Sequence, residues 1–319
     1  MSLRSGWGDH DALSGQGECL PGAFTNNYLA WRGSASGIIL EYSLGAEESG
    51  AMCHFNHPMQ KAGQRDGRLL IVEALGKSCD GRTVLRNLTL SVNTGEIVGL
   101  LGRDGAGKTV CFNLIMGLMK ADSGRIMLGG ADVTGWTADR RGRLGLNCLP
   151  QEPSIFSGMT VEQNIGSVLE FREPDRAAQA ARLELILREF QLEHLRKLAA
   201  LQLSGGERRR CEIARAMASD PAIMLLDEPF AGIDPLAIIE IKRAIQLLKV
   251  QGVGILISDH NLKDMLELVE RTYVLHEGRL IFSGSPAQML SDAEVCRLYL
   301  GTEAEQLRRL LPNIRAVAA

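Results

Sequence analysis

The stretch Ile97-Val-Gly-Leu-Leu-Gly-Arg-Asp-Gly-Ala-Gly-Lys-Thr109 decides the fold. Ile97–Leu101 reads as a short buried strand, and Lys108–Leu118 reads as a helix. Between them lies the loop Gly102, Arg103, Asp104, Gly105, Ala106, Gly107. Its three glycines let the backbone curl so that successive N–H groups face inward, and the helix adds the positive end of its dipole. A strand–loop–helix of this kind cradles the β- and γ-phosphates of ATP. Lys108 would neutralise phosphate charge, and the Thr109 hydroxyl would ligate Mg²⁺. The fold expected around it is α/β, of the P-loop NTPase class.

Three further segments carry chemistry. Ile223-Met-Leu-Leu-Asp-Glu228 is an apolar strand ending in two carboxylates. Asp227, at its tip, suits a Mg²⁺-bound water; Glu228 suits the base that orients or deprotonates an attacking water. Leu203-Ser-Gly-Gly-Glu207 precedes a basic helix. Ser204 and Glu207 have the spacing of a capping box, and Ser204 with the Gly205 and Gly206 amides can donate to a γ-phosphate from outside. His260 follows the apolar strand Gly254–Ser258 directly, where it can sense a γ-phosphate; Gln151, in Leu-Pro-Gln-Glu, can contact Mg²⁺ and the water. Arg208, Arg209 and Arg210 spread around a helix between Glu207 and Glu212, so they read as a solvated or interface face rather than a nucleic-acid patch.

Composition bounds the remaining possibilities. The 319 residues are 45% hydrophobic and 23% charged with a net charge of −3, ordinary for a globular protein and no sign of a nucleic-acid binder. No apolar run approaches the roughly 18 residues of a membrane helix, and no secretory signal is visible. The 7 cysteines (Cys19, Cys53, Cys79, Cys111, Cys148, Cys211, Cys296) form no Cys-x-x-Cys pair, which fits a reducing cytoplasm better than a disulfide framework.

Residues 1–67 hold 11 glycines and carry the whole net charge, with 4 basic against 7 acidic residues. They read as a poorly ordered extension, with a short strand expected at Ile38–Tyr42; a misplaced start codon is the other reading. Cys53, His54 and His57 lack a second cluster that would complete a metal site. From Leu69 onward the pattern predicts strands at Leu69–Leu75 and Leu88–Val92, helices at Pro174–Phe190 and Gly206–Ala218, and a hairpin over Tyr273–Ser283. A doubly wound core with a parallel sheet, an antiparallel sheet from the early strands and a helical insertion near 160–205 follows.

Together these segments resemble the nucleotide-binding subunit of ABC transporters over about Leu69–Gly301. The resemblance implies a Q-loop glutamine at Gln151, also a Mg²⁺ ligand, a D-loop at Ala231–Asp234 with Asp234 its acid, and a switch histidine at His260. It makes Ser204–Glu207 the signature that closes on ATP bound to a partner copy. Domains are expected at 1–67 (extension), 68–301 (ATPase, helical subdomain about 160–218) and 302–319 (tail). Leu149–Phe156, Arg208–Arg215 and Asp227–Pro235 look like the lipopolysaccharide-export ATPases (LptB type). That similarity implies a homodimer on the cytoplasmic face of a Gram-negative inner membrane, binding two membrane subunits near Gln151–Phe156, with Phe156 as an anchor, no nucleic acid, and membrane contact only through partners. The ATPase of a branched-chain amino-acid importer is the neighbouring alternative; a soluble non-transport ATPase would need a second ATPase half or a coiled-coil insertion, and the chain has neither. The sequence departs from the family at Cys79, where an aromatic stacks on adenine, at Cys148, at Arg103-Asp104, and in residues 1–67.

Overall fold

The computed structural model describes residues 33–34, 37–38 and 68–309. Two units are distinguished. In Met1–Phe55, the described residues are an antiparallel pair, β1 (Gly33–Ser34) and β2 (Gly37–Ile38). The strand expected at Ile38–Tyr42 lies, beyond Ile38, outside the described residues, as do Cys53, His54 and His57. All other described elements belong to Asn56–Ala319.

The second unit begins with two long strands, β3 (Arg68–Cys79) and β4 (Arg82–Asn93). Then come β5 (Ile97–Gly102), α1 (Lys108–Met116), β6 (Ser123–Leu128), β7 (Ala131–Asp132), α2 (Ala138–Arg143) and β8 (Leu146–Leu149). The helical region holds α3 (Val161–Arg172) and α4 (Arg176–Glu189), and α5 (Gly205–Met217) returns to the core. β9 (Ile223–Asp227), α6 (Pro235–Val250), β10 (Gly254–Ser258), α7 (Leu262–Leu266), β11 (Arg271–His276) and β12 (Arg279–Gly284) complete the sheet, and α8 (Pro286–Ser291) and α9 (Ala293–Val295) follow it.

The main sheet has the order β12-β11-β5-β10-β9-β8, parallel except for β12. Its central strands β5, β9 and β10 are buried throughout because both faces are covered, and period-2 alternation divides their side chains between two cores. Ile97, Leu101, Met224, Leu226, Ile255 and Ile257 face the α5/α6 side. Val98, Leu100, Ile223, Leu225 and Leu256 face α1 and the antiparallel sheet. That second sheet, β4-β3-β6-β7, grows from the early strands as expected. The hairpin turns at Glu277-Gly278, also as expected. The apolar face of α4 points inward, with Ile186, Leu187 and Phe190 buried.

The helical region owes its boundaries to caps. Thr160 and Gln163 form a capping box on α3, Asp175 caps α4, and Ser204 with Glu207 caps α5. Past the sheet, Val295, Leu300, Ala304 and Leu307 join the core, so the final described segment packs against the domain.

Candidate functional site

The parallel strands all point one way, so their C-terminal ends share one edge of the sheet, where open α/β sheets bind ligands. The loops after β5, β8, β9 and β10 leave from that edge and carry Gly102–Thr109, Gln151, Asp227–Glu228 and His260.

The phosphate loop needs its glycines. Gly107 adopts φ +107°, and a Cβ there would come within 2.7 Å of Leu85 Cδ2. Gly102 has φ +152°, and a Cβ would meet Leu275 O at 2.5 Å. Gly107 is the N-cap of α1 and offers no side-chain acceptor, so the first N–H groups of the helix are left for an anion. Lys108 Nζ reaches back across the loop, donating to Gly102 O (2.7 Å) and Arg103 O (3.2 Å), and is buried. Arg103, Asp104, Gly105 and Thr109 are exposed, and Ala106 is buried under Gly278, whose N–H donates to its carbonyl at 3.2 Å.

Glu228 stands just past β9, at φ +46°. This left-handed conformation costs a non-glycine residue about 1–2 kcal/mol, and the Glu228 N–H to Ser258 O bond (2.7 Å) helps to hold it. Its Oε2 accepts from Gln151 Nε2 at 2.9 Å and lies 3.4 Å from His260 Nδ1. Gln151 and His260, far apart in sequence, thus converge on one carboxylate oxygen of Glu228. Asp227 is buried beside it, its Oδ1 accepting from Ser258 Oγ at 2.7 Å. Asp259, which carries no motif of its own in the sequence, is 1% exposed; it accepts from Phe230 N (2.9 Å) and Asn261 N (2.8 Å), tying the segment after β9 to the His260 turn after β10.

Ser204, Gly205, Gly206 and Glu207 sit at the start of α5. Ser204 Oγ accepts from Glu207 N (3.3 Å), while Glu207 Oε2 accepts from Ser204 N (2.8 Å). The hydroxyl and amide of Ser204 hold the Glu207 carboxyl below the ordinary carboxylate range. Gly206 faces α6, where a Cβ would lie 2.2 Å from Ala237 Cβ. Asp234 caps α6, accepting from Leu236 N and Ala237 N at 3.1 and 3.0 Å.

The arginine run departs from expectation. Arg209 and Arg210 are buried, not on a solvated face. Arg209 donates to Pro150 O (2.8 Å), Asp227 O (3.2 Å), Glu228 O (3.2 Å) and Pro229 O (3.4 Å), and pairs with Glu212 Oε2 at 3.1 Å. Glu212 Oε1 accepts from the amides of Ser154 (2.6 Å) and Ile155 (3.2 Å). One buried pair therefore joins the carboxylate end of β9 to the loop carrying Gln151. The signal was present in sequence: Arg and Glu at i,i+3 on one helix face, next to the apolar Cys211, Ile213 and Ala214.

The same loop ends in a groove of about 260 Å³ lined by Cys148, Ser154, Phe156, Val168, Glu212 and Arg215, among others. Phe156 is 51% exposed at its rim, under the Arg215 guanidinium at 5.0 Å, and Asn164 fixes its backbone from both sides (Phe156 N to Oδ1 2.9 Å, Nδ2 to Phe156 O 3.0 Å). Burial, with Asp227 adding to it, pushes the Cys148 thiol up to about 12, so it serves as an apolar wall rather than a nucleophile. Cys79, at the end of β3, is partly exposed. Among the described residues no helix is long and apolar enough to cross a membrane, and no group of three or more His, Cys, Asp or Glu could hold a metal ion.

The family described as ABC transporter matches residues 85–231. A probable ABC transporter ATP-binding protein of Azorhizobium caulinodans is 53% identical over 229 residues, 72% of this chain and 82% of that protein. The lipopolysaccharide export system ATP-binding protein LptB of Acidithiobacillus ferridurans is 46% identical over 235 residues, 74% of this chain and 98% of that protein. Among solved structures, the ADP conformation of MJ1267, an ATP-binding cassette of an ABC transporter, aligns with TM-score 0.65 at 28% identity, covering 73% of this chain and 99% of that one.

Proposed function

Because the chain belongs to the ABC transporter ATPases, a family of ATP-hydrolysing transporter subunits, we propose that it powers lipopolysaccharide export from the inner membrane. The observation that carries this reading is the 46% identity to LptB, running over 98% of that protein's length. In this proposal two copies of the chain sit on the cytoplasmic face under a pair of membrane subunits, and each copy's Ser204–Glu207 segment closes on ATP held by its partner.

The residues' positions support the roles proposed for them. Gly102–Gly107 and the first turn of α1 bind the phosphates through backbone N–H groups, and Lys108 exchanges its two carbonyl partners for phosphate oxygens. Glu228 takes or orients the proton of the attacking water. Gln151 and His260, on the same carboxylate oxygen, hold it in line and register the γ-phosphate. Mg²⁺ fits the donors present: oxygens of Thr109, Asp227 (through water) and Gln151, with no three-residue metal cluster among the described residues. A hard cation that keeps waters and substrate phosphates in its shell needs only this much protein. When bound, it would spread charge between the β- and γ-phosphates. Phe156 and the groove beside it receive the membrane subunits, an exposed aromatic at a pocket rim being a usual anchor.

Affinity purification of the chain from membranes tests the substrate. Recovery of a lipopolysaccharide-export membrane pair, with ATP-dependent release of lipopolysaccharide from proteoliposomes holding the complex, is expected. Recovery of an importer's permease pair instead, with ATP-driven amino-acid uptake, would overturn the proposal while leaving the ATPase assignment standing.

A further inference from the structure

The helix that carries the phosphate loop is held at its other end by a buried arginine. Arg141, on α2, is 1% exposed. Its Nη1 donates to Leu114 O (2.7 Å) and Ile115 O (2.6 Å), both in the last turn of α1, whose carbonyls have no partners within the helix. Its Nη2 donates to Thr134 O at 2.9 Å and its Nε to Trp136 O at 3.1 Å. All four bonds go to main-chain carbonyls. Burial works against the charge of this guanidinium, and Asp132 supports it. The backbone of α1 makes room for it: Gly117 closes the helix at φ +79°, and a Cβ there would lie 2.9 Å from Arg141 Nε. Arg140 stacks on the Trp136 ring at 4.1 Å, covering the segment that receives Nε.

An uncovered cap would leave the buried Ile115 carbonyl unpaired, and Leu114 O with only the 3.2 Å bond from Gly117 N–H, at one end of a nine-residue helix. The other end, roughly 13 Å away, bears Lys108, Thr109 and the amides of the loop. A cation at a helix C-terminus also neutralises the end of the dipole whose positive end faces the phosphates. We infer that Arg141 is a positioning residue for ATP binding, clamping the last turn of α1 so that the loop at its first turn keeps the curvature that receives phosphate. The inference rests on the ATPase activity and not on the transported substrate.

The test uses the full-length chain and MgATP. Arg141→Met is compared with Leu248→Ala, which opens a cavity in the buried face of α6 away from α1 and lowers Tm in its own right. Arg141→Met is expected to raise KM about five- to tenfold with kcat within about twofold, an effect on binding rather than on the chemical step. Arg141→Lys, which keeps the charge but not four bonds, should fall between Arg141→Met and wild type. Leu248→Ala should lower Tm without moving KM. If Arg141→Met does not fold, Arg141→Lys alone decides: a KM raised about two- to threefold supports the inference, and an unchanged KM overturns it. Equal KM values for Arg141→Met and Leu248→Ala would also overturn it. Wild-type chain without ATPase activity would count against the family activity instead.

Discussion

Replacing Arg209 by Met should do more damage than any other change in the arginine run. The guanidinium is 6% exposed and serves five acceptors: the carbonyls of Pro150, Asp227, Glu228 and Pro229, and the Glu212 carboxylate. Met fills much of the space but donates nothing. Removing one partner of a buried ion pair costs about 3–5 kcal/mol, because the other charge is left uncompensated. For a domain of this size each kcal/mol lowers Tm by about 2–4 °C, so a fall of roughly 6–20 °C is expected by circular dichroism. Arg208→Ala is the control. Arg208 is only partly buried and makes one long bond, to Leu203 O at 3.4 Å, so it should stay within about 0.5 kcal/mol.

Adding Glu212→Leu to Arg209→Met separates two explanations. Were the pair only a buried charge couple, removing both charges would recover most of the loss. Here Glu212 also holds the amides of Ser154 and Ile155, so the double substitution leaves that loop without its acceptor and recovery should be small. ATPase activity should fall in both, since Gln151 and Glu228 hang from segments that the pair joins. A loss under about 1 kcal/mol for Arg209→Met, or full recovery in the double variant, would refute the reasoning.

Glu228→Gln should keep ATP binding and nearly abolish hydrolysis, with an ATP-bound dimer visible in gel filtration with MgATP; hydrolysis at the wild-type rate would remove Glu228 from the base role. Phe156→Ala should leave the isolated ATPase activity alone and weaken co-purification with the membrane subunits, because the ring is half exposed and its side-chain contact is Arg215, not a residue of the carboxylate site. Glu96 should make the protein acid-labile: burial pushes its carboxyl up, but the bonds from Arg271 and Asn93 outweigh this and hold it below its ordinary value of 4.5. A depressed folded pKa means stability that is present above about pH 4.5 and lost as the pH falls through the lower folded value. The Tm gap between wild type and Glu96→Gln should therefore narrow as pH drops from 5 toward 3, and a constant gap would exclude this linkage.

What was legible in the sequence was local. The phosphate loop, the buried strands ending in Asp227 and Ser258, and the Ser204 cap depend on residues within a few positions of each other, and each was located to within a residue or two. α6 went unmarked, although Asp234-Pro235 spells a cap followed by proline at the first helical position. Convergence was not legible. Nothing near Gln151 in the chain says that its amide will meet a carboxylate 77 positions later. Arg209 and Arg141 show why charge runs mislead. A run of arginines looks solvated when judged by its neighbours in sequence, yet each of these two is buried because carbonyls from distant strand and helix ends converge on it. The acceptors are main-chain atoms, common to every residue type, and therefore leave no mark in the sequence at the positions that supply them. Arg209 and Arg141 thus each mark where two backbone ends meet, whereas the buried Arg210 pairs with a side chain, Glu240. Both meetings support the nucleotide site, one directly behind the carboxylates of β9 and the other from the far end of the phosphate-loop helix.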